Sequence, residues 1–233
     1  MSVRQLVRHA EPYTKLADLI HADYRLLLII NRFGIPLGFR DKTIQEVCDH
    51  YHVDMECLLA VFHLLSNPDE FESAAFLDLN IPSILDYLKN SHHYFLNKRL
   101  PDIRECLNDI LEGCDAVSRA SIMDFFDGYF KEVQEHMNYE NNIVFPYIEE
   151  LIGEKKPTNF TIDEFESHHS NIREKLVDLK NILIKYMQLP CSSYQVTNVL
   201  FDIFQSEEDL DAHCFIENKI LVPIVRNIEK GRI

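Results

Sequence analysis

Apolar residues recur every three or four positions along most of the chain, which is the spacing of amphipathic α-helices. A first such segment covers about residues 13–33, and two shorter ones follow at about 43–51 and 54–65. Four longer segments cover about residues 82–112, 119–152, 161–188 and 192–229. No stretch keeps the strict alternation that predicts a β-strand. The pattern therefore predicts an all-α fold.

Capping residues and a polar stretch divide the chain. Thr43 and Asp54 stand where the N-caps of the two short helices are expected. The polar segment 66–70 precedes the four long segments. We therefore expect a small helical N-terminal domain in residues 1–72 and a second domain in residues 73–233. Four long helices with short connections favour an up-down-up-down four-helix bundle for the second domain.

Composition and charge narrow the function classes. Only 6 of the 233 residues are glycine and 46% are hydrophobic, which suits a helical globular protein. The net charge of −15 argues against nucleic acid and anionic membranes as partners. No apolar run approaches the roughly 20 residues that span a bilayer, and the N-terminus has no apolar core of a secretory signal. Six scattered cysteines lack zinc-ribbon spacing, so we expect reduced thiols and a cytoplasmic protein.

One short motif occurs twice, on the second and fourth long segments. The two copies are His136-x-x-x-Glu140-Asn141 and His213-x-x-x-Glu217-Asn218, each with a proline ten residues after the histidine. A histidine and a glutamate four residues apart lie on the same face of a helix. The histidine and the glutamate of each pair can therefore contact the same bound group.

Both motifs lie on apolar faces. The positions in helical step with His136 are Ile122, Phe126, Tyr129, Val133, Ile143 and Tyr147. Those in step with His213 are Val199, Ile203, Ser206, Leu210, Ile220 and Ile224. Carboxylates on such faces are costly unless each meets a cation or hydrogen-bond donors. The two glutamates therefore indicate a buried site.

Two pairs of adjacent histidines lie on the other long segments, and only one member of each pair can face inward. Downstream of His93 the positions in step are Leu96, Leu100, Ile103, Leu107 and Ile110, whereas those in step with His92 are mostly polar. Around His169 the positions in step are also apolar, whereas His168 leads to Lys175 and Asp178. We therefore predict that His93 and His169 face the core.

The four helices then contribute four histidines and two glutamates, namely His93, His136, Glu140, His169, His213 and Glu217. This donor set suits a first-row transition metal better than Mg²⁺ or Ca²⁺, and a structural zinc site needs only four ligands. Two glutamates that each bridge two metals, together with an oxo or hydroxo group, leave one open position per metal. We predict two non-haem iron ions, with manganese left open.

At these residues the chain resembles the hemerythrin-like superfamily, and more closely its Repair of Iron Centers family. The resemblance covers about residues 81–230 and includes His93 with Leu100-Pro101, His136-x-x-x-Glu140 with Phe145-Pro146, His169, and His213-x-x-x-Glu217-Asn218. It implies a di-iron four-helix bundle in which the same six residues bind the metals. It also implies a role in restoring iron–sulfur clusters damaged by nitric oxide or peroxide, with the proteins that hold such clusters as partners.

The N-terminal segment resembles the small helical domain of that family but departs from it at one place. After Phe33-Gly34-Ile35 the family has adjacent cysteines followed by two glycines, and this chain has Leu37-Gly38-Phe39-Arg40. Cys48 remains near the family's later cysteine. The resemblance therefore does not extend to any role that needs the paired thiols.

Two other functions stay open. A hemerythrin-like carrier or sensor of oxygen or nitric oxide, with no repair activity, fits the bundle residues equally well. A helix-turn-helix regulator would use residues 43–65, but its recognition helix has no Lys or Arg from Asp54 through Leu65. The sequence determines neither whether the protein is an enzyme nor whether it is a monomer or a homodimer.

Overall fold

The computed structural model describes residues 10–66, 71–153, 160–168, 173–187 and 191–231. Within these residues the only β-type pairing is an isolated bridge between Lys15 and Thr43. Nearly everything else is helix, so the prediction of an all-α fold is confirmed. In the part of the chain that the structure describes, no helix is long and apolar enough to cross a membrane.

Among the residues that the structure describes, four short α-helices precede the long ones, and a 3₁₀-helix lies at Ser73–Phe76. The four α-helices are α1 (Leu16–Ala22), α2 (Leu26–Arg32), α3 (Ile44–Tyr51) and α4 (Met55–Ser66). Thr43 caps α3 in a reciprocal box with Glu46, and Asp54 Oδ1 accepts from the Cys57 N–H at 3.0 Å. Both caps expected from the sequence are confirmed.

The first of the expected helices is two helices in the structure. Asp23 adopts an extended backbone after α1, and its carboxylate accepts from the backbone N–H of Arg25 at 3.0 Å and from the Arg25 guanidinium. A short side chain that bonds to a backbone N–H two residues on competes with helix. The apolar periodicity of residues 13–33 does not reveal this break.

Cys48 and Cys57 are packing residues of α3 and α4. Both are fully buried, and burial together with nearby aspartates raises the pKa of the Cys48 thiol to about 12. The same causes raise the pKa of Cys57 still further. Both thiols are therefore protonated at neutral pH and lack the thiolate that redox exchange requires.

The long helices contain stretches of the wider π-helix. Helix α5 consists of two α-helical parts, Ile81–Tyr94 and Leu100–Ile110, joined by the π-turn Phe95–Arg99. Helix α6 consists of Ala116–Tyr139 and Phe145–Ile152, joined by the π-turn Glu140–Val144. Helix α7 is Ile162–His168, and α8 is Arg173–Asn181 with a terminal π-turn Ile182–Tyr186. Helix α9 runs Ser193–Ile216, π-turn Glu217–Leu221, Val222–Gly231.

Of the four π-turns in the described residues, three are separated from a following proline by a single residue. The N–H groups of Leu100, Phe145 and Val222 each bond to the carbonyl five residues earlier, and Pro101, Pro146 and Pro223 follow directly. A proline has no N–H for the carbonyl four residues before it, so the α-helical pattern cannot pass through that position unchanged.

Each π-turn adds one residue to its turn and rotates everything beyond it. Ile143, which the sequence pattern places on the buried face of α6, is therefore 47% exposed, whereas its neighbour Val144 is buried. The prediction for Ile143 is wrong because it assumes an uninterrupted α-helix after Glu140. The same effect appears at the paired histidines of α5.

The described residues fall into two compact units. One comprises those within Met1–Ser91, Leu151–Lys156 and Cys214–Ile233, and the other those within His92–Glu150 and Pro157–His213. In the first unit Phe33 packs on Tyr87 with ring centroids 4.8 Å apart, and Asn90 Nδ2 donates to the Arg32 carbonyl at 2.8 Å. The division at residue 72 expected from the sequence stays a prediction.

The second unit has a continuous apolar core drawn from α5, α6, α8 and α9. Its buried members include Phe95, Ile103, Leu107, Phe126, Tyr129, Val133, Leu176, Leu179, Ile203 and Leu210. Burying such side chains stabilises the fold by about 1.5–3 kcal/mol each. This core holds the helices that carry the candidate metal ligands.

Candidate metal centre

Four polar side chains meet inside the second unit. Glu140 Oε2 lies 3.0 Å from His92 Nε2, and Glu140 Oε1 lies 3.0 Å from His136 Nε2. His92 Nε2 is also 3.1 Å from His213 Nε2. Glu140 and His213 have no solvent exposure, His92 is 1% exposed and the side chain of His136 is 7% exposed. The cluster is therefore closed to bulk water.

Glu140 faces two histidines at once. Its two carboxylate oxygens point to different imidazoles, one from α5 and one from its own helix α6. His136 reaches it because residues four apart share a helix face. One carboxylate can therefore serve two neighbouring centres, one at each oxygen.

Glu217 is fully buried one turn after His213 on α9. The donor atoms of His92, Glu140, His213 and Glu217 all lie within 4.8 Å of one another. Glu217 also belongs to a second such group, with His136 and Cys214. It is thus the residue common to both groups.

The spacing of these atoms fits metal coordination. Two donors at about 2.1 Å from one metal ion, at right angles, lie about 3.0 Å apart. The observed separations around His92 are 3.0 Å to Glu140 and 3.1 Å to His213. Imidazole with carboxylate is a donor set for iron, zinc or manganese rather than for Mg²⁺ or Ca²⁺. The residues present therefore fit a transition-metal site.

Asn141 determines which nitrogen of His92 is available. Its Oδ1 lies 3.0 Å from His92 Nδ1, and an amide oxygen only accepts, so Nδ1 carries the proton. With Nδ1 turned to Asn141, the nitrogen that faces Glu140 and His213 is Nε2. Polar groups that fix a ligand in this way raise metal affinity. This contact gives a role to the asparagine of the repeated motif.

Aromatic rings hold the imidazoles in place. The His92 ring stacks on Phe145 at 5.4 Å and 12°, and the His213 ring meets Phe95 edge-on at 6.2 Å. Phe145 follows the π-turn of α6, and Phe95 begins that of α5. The irregular turns thus bring bulky apolar side chains against the ligands and exclude water from them.

The structure places His92, and not His93, in the cluster. His93 is exposed, and its Nδ1 accepts from Asn97 Nδ2 at 3.0 Å on the outer face of α5. The π-turn Phe95–Arg99 is the reason, because its extra residue shifts the apolar positions downstream by one. Counting back from Ile110 to Leu96 in ordinary α-helical steps therefore arrives at His93 instead of His92.

The positions before the pair carry the correct signal. Ile81, Ile84, Leu85 and Leu88 are in helical step with His92 and are all buried. In step with His93 are Asp86 and Lys89, which are polar. Because a π-turn shifts the register only of later residues, the upstream count identifies the inward residue.

The other predicted ligands fall into two sets. His136, Glu140, His213 and Glu217 lie in the two donor groups of the metal centre. His169 lies outside the residues that the structure describes, and its assignment as a ligand stays a prediction.

A comparison with protein families finds a match over most of the second half of the chain. The model described as the hemerythrin HHE cation-binding domain matches residues 83–225, which is more than half of the chain. No curated protein sequence matches the chain. The matched range includes every histidine and glutamate of the cluster.

Replacing the paired histidines one at a time tests the register of α5. We expect His92→Ala to lose most of its bound metal, because it removes a donor from a buried group. His93→Ala should keep wild-type metal content and a stability within about 0.5 kcal/mol of wild type, since His93 is on the surface. Elemental analysis and thermal unfolding of the purified variants measure both. Metal loss in His93→Ala alone would show that the α5 register is wrong.

Replacing Asn141 tests its effect on the His92 ring. Asn141→Ala should weaken metal binding roughly 10–100-fold, because the ring is no longer held in one tautomer. Asn141→Asp keeps an acceptor and should restore most of the affinity. The control is Asn142→Ala, whose exposed side chain donates to the Asn138 carbonyl of the same helix. Competition titration with a chromophoric chelator gives the affinities, and equal values for Asn141→Ala and wild type would contradict the role.

Proposed function

Because the chain belongs to the hemerythrin HHE cation-binding domain family, we propose that it is a non-haem di-iron protein that binds a small ligand. The ligands would be His92, His136, Glu140, His213 and Glu217, with His169 as the sixth. His92 takes the place that the sequence pattern gives to His93. The buried His/Glu cluster fits such a site.

The placement of Glu140 carries this proposal. Its two oxygens lie 3.0 Å from two different histidines, and Glu217 is shared by both donor groups. Carboxylates that serve two groups at once suit a pair of metals better than a single one. Two buried negative charges also need the compensation that two cations provide.

The chain's own residues prepare the site for a small ligand. Phe95, Phe145 and Val144 are fully buried beside or next to the ligands and exclude bulk water. Asn141 keeps the His92 proton on Nδ1. When bound, the iron pair supplies open coordination positions for O₂, nitric oxide or peroxide. The surrounding apolar side chains restrict access to ligands of that size.

We further propose that the protein acts in the cytoplasm to restore iron–sulfur clusters after nitrosative or oxidative damage. The support is the resemblance of its motifs to the Repair of Iron Centers family, which includes Leu100-Pro101 and Phe145-Pro146. Proteins with damaged clusters would then be its partners.

One observation favours a second function, the carriage or sensing of oxygen or nitric oxide without repair. The paired cysteines of the repair family are missing from this chain, which has Leu37-Gly38-Phe39-Arg40 in that region, and the remaining Cys48 is a buried, protonated thiol. A protein that only binds a gas needs none of these thiols.

The metal centre is tested on protein purified from iron-replete cells. We expect about two iron ions per chain, an oxo-bridge absorption band, and a spectral change when nitric oxide is added to the reduced protein. Glu140→Gln should abolish the band and lower the iron content, because it removes a charged donor. The matched control Glu135→Gln, at an exposed position of the same helix, should behave as wild type. A wild-type protein that contains only zinc, or no metal, would contradict a di-iron function.

An experiment in cells distinguishes the repair function from the carrier or sensor function. Deletion of the gene should slow the recovery of aconitase activity after nitric oxide exposure, and the wild-type gene should restore it where Glu140→Gln does not. Unchanged recovery in the deletion strain, with a metal-loaded protein, would favour the carrier or sensor.

A further inference from the structure

Cys214 lies beside the candidate metal ligands but is not one of the four histidines and two glutamates predicted from the sequence. It follows His213 directly on α9, and its side chain is half-buried. Its Sγ and the donor atoms of His136 and Glu217 all lie within 4.8 Å of one another. A cysteine, a histidine and a carboxylate at this spacing are a metal-binding combination.

Helix geometry explains why adjacent residues join different groups. Neighbouring side chains of an α-helix point about 100° apart. His213 therefore groups with His92 and Glu140, whereas Cys214 groups with His136. Glu217 is four residues after His213 and three residues after Cys214, so its carboxylate belongs to both donor groups. One turn of α9 thus offers a nitrogen donor to one group and a sulfur donor to the other.

The remaining cysteines differ from Cys214 in this respect. Among the described residues, no other cysteine lies in a group of this kind with histidine or glutamate. Cys48 and Cys57 are buried in α3 and α4, and Cys106 packs against the apolar core of the second unit. Cys214 is therefore distinguished by its neighbours and not by its residue type.

We propose that Cys214 supplies a thiolate ligand to the metal ion held by His136 and Glu217. This inference rests on the proposed function, because it needs the second metal. On binding, the S–H bond releases its proton to solvent water and an Sγ–metal bond forms, with no change of oxidation state. The two metal positions are then chemically different: one has only nitrogen and oxygen donors, and the other has sulfur as well.

A sulfur donor changes which metals the site accepts. Thiolate is a soft ligand that favours iron, cobalt or zinc, whereas manganese and magnesium favour oxygen. The position that contains Cys214 should therefore discriminate against manganese. The position that contains His92 lacks that discrimination.

Cobalt substitution tests the proposal on the full-length protein. Metal-depleted protein is titrated with Co²⁺ without oxygen, and bound cobalt and the near-ultraviolet spectrum are measured. We expect a sulfur-to-cobalt charge-transfer band in wild type and its loss in both Cys214→Ser and Cys214→Ala. Cys106→Ser, a half-buried thiol of α5 outside the groups, is the control and should keep the band. X-ray absorption of cobalt-loaded wild type should show sulfur at about 2.3 Å, with about one sulfur for every two cobalt ions because only one of the two positions contains Cys214.

The outcomes separate this inference from the proposed function. A wild-type protein that binds cobalt with no sulfur band and no sulfur neighbour overturns the role of Cys214 and leaves the metal centre in place. A band of wild-type intensity in Cys214→Ser also overturns it. A wild-type protein that binds no cobalt, iron or zinc overturns both proposals. Because the X-ray measurement uses wild type alone, it decides the question even if a variant fails to fold.

Discussion

The cost of burying two carboxylates is the constraint on which the rest of the centre depends. Glu140 and Glu217 have no solvent exposure, and each ionised carboxylate taken out of water costs several kcal/mol unless it is compensated. Cations close to the two carboxylates offset that cost. The histidines, the asparagine on His92 and the aromatic rings around them are arranged to make this compensation specific to a metal. The two buried carboxylates thus lower the stability of the metal-free fold, and relief of that cost on metal binding raises the affinity for the metal.

The sequence predicted the helical architecture well because helix periodicity is a local property. The caps at Thr43 and Asp54 were correct for the same reason, since each involves residues at most three apart. The repeated motif also placed His136, Glu140, His213 and Glu217 on buried faces, because residues four apart share a face whatever happens further along the helix. These predictions required no knowledge of the tertiary structure.

The errors arose where local periodicity is interrupted. A π-turn adds a residue, and the apolar count beyond it then points to the wrong neighbour, as at His93 and Ile143. The prolines at 101, 146 and 223 were visible in the sequence, but their effect on hydrogen bonding became evident only with the backbone. Cys214 was missed for a different reason: its partner His136 is 78 residues away, and no spacing rule connects them. Asn141 repeats in the sequence, yet only the structure gives it a partner.

The π-turn of α5 has a consequence for how this helix can vary in length. An ordinary surface turn of a helix tolerates substitution freely, and residues 97 and 98 are exposed polar side chains of that kind. Deleting one residue between Phe95 and Arg99 would return the backbone to a plain α-helix in which His92 and the buried residues from Leu100 onward keep a common face, because their spacing then matches the ordinary helical repeat. Converting the turn to α-helix with all of its residues kept would instead rotate one half of α5 by about 100° against the other, so that either His92 would leave the metal ligands or the apolar side chains from Leu100 to Ile110 would leave their core. The extra residue and the π-helical hydrogen bonding of this stretch can therefore be lost only together.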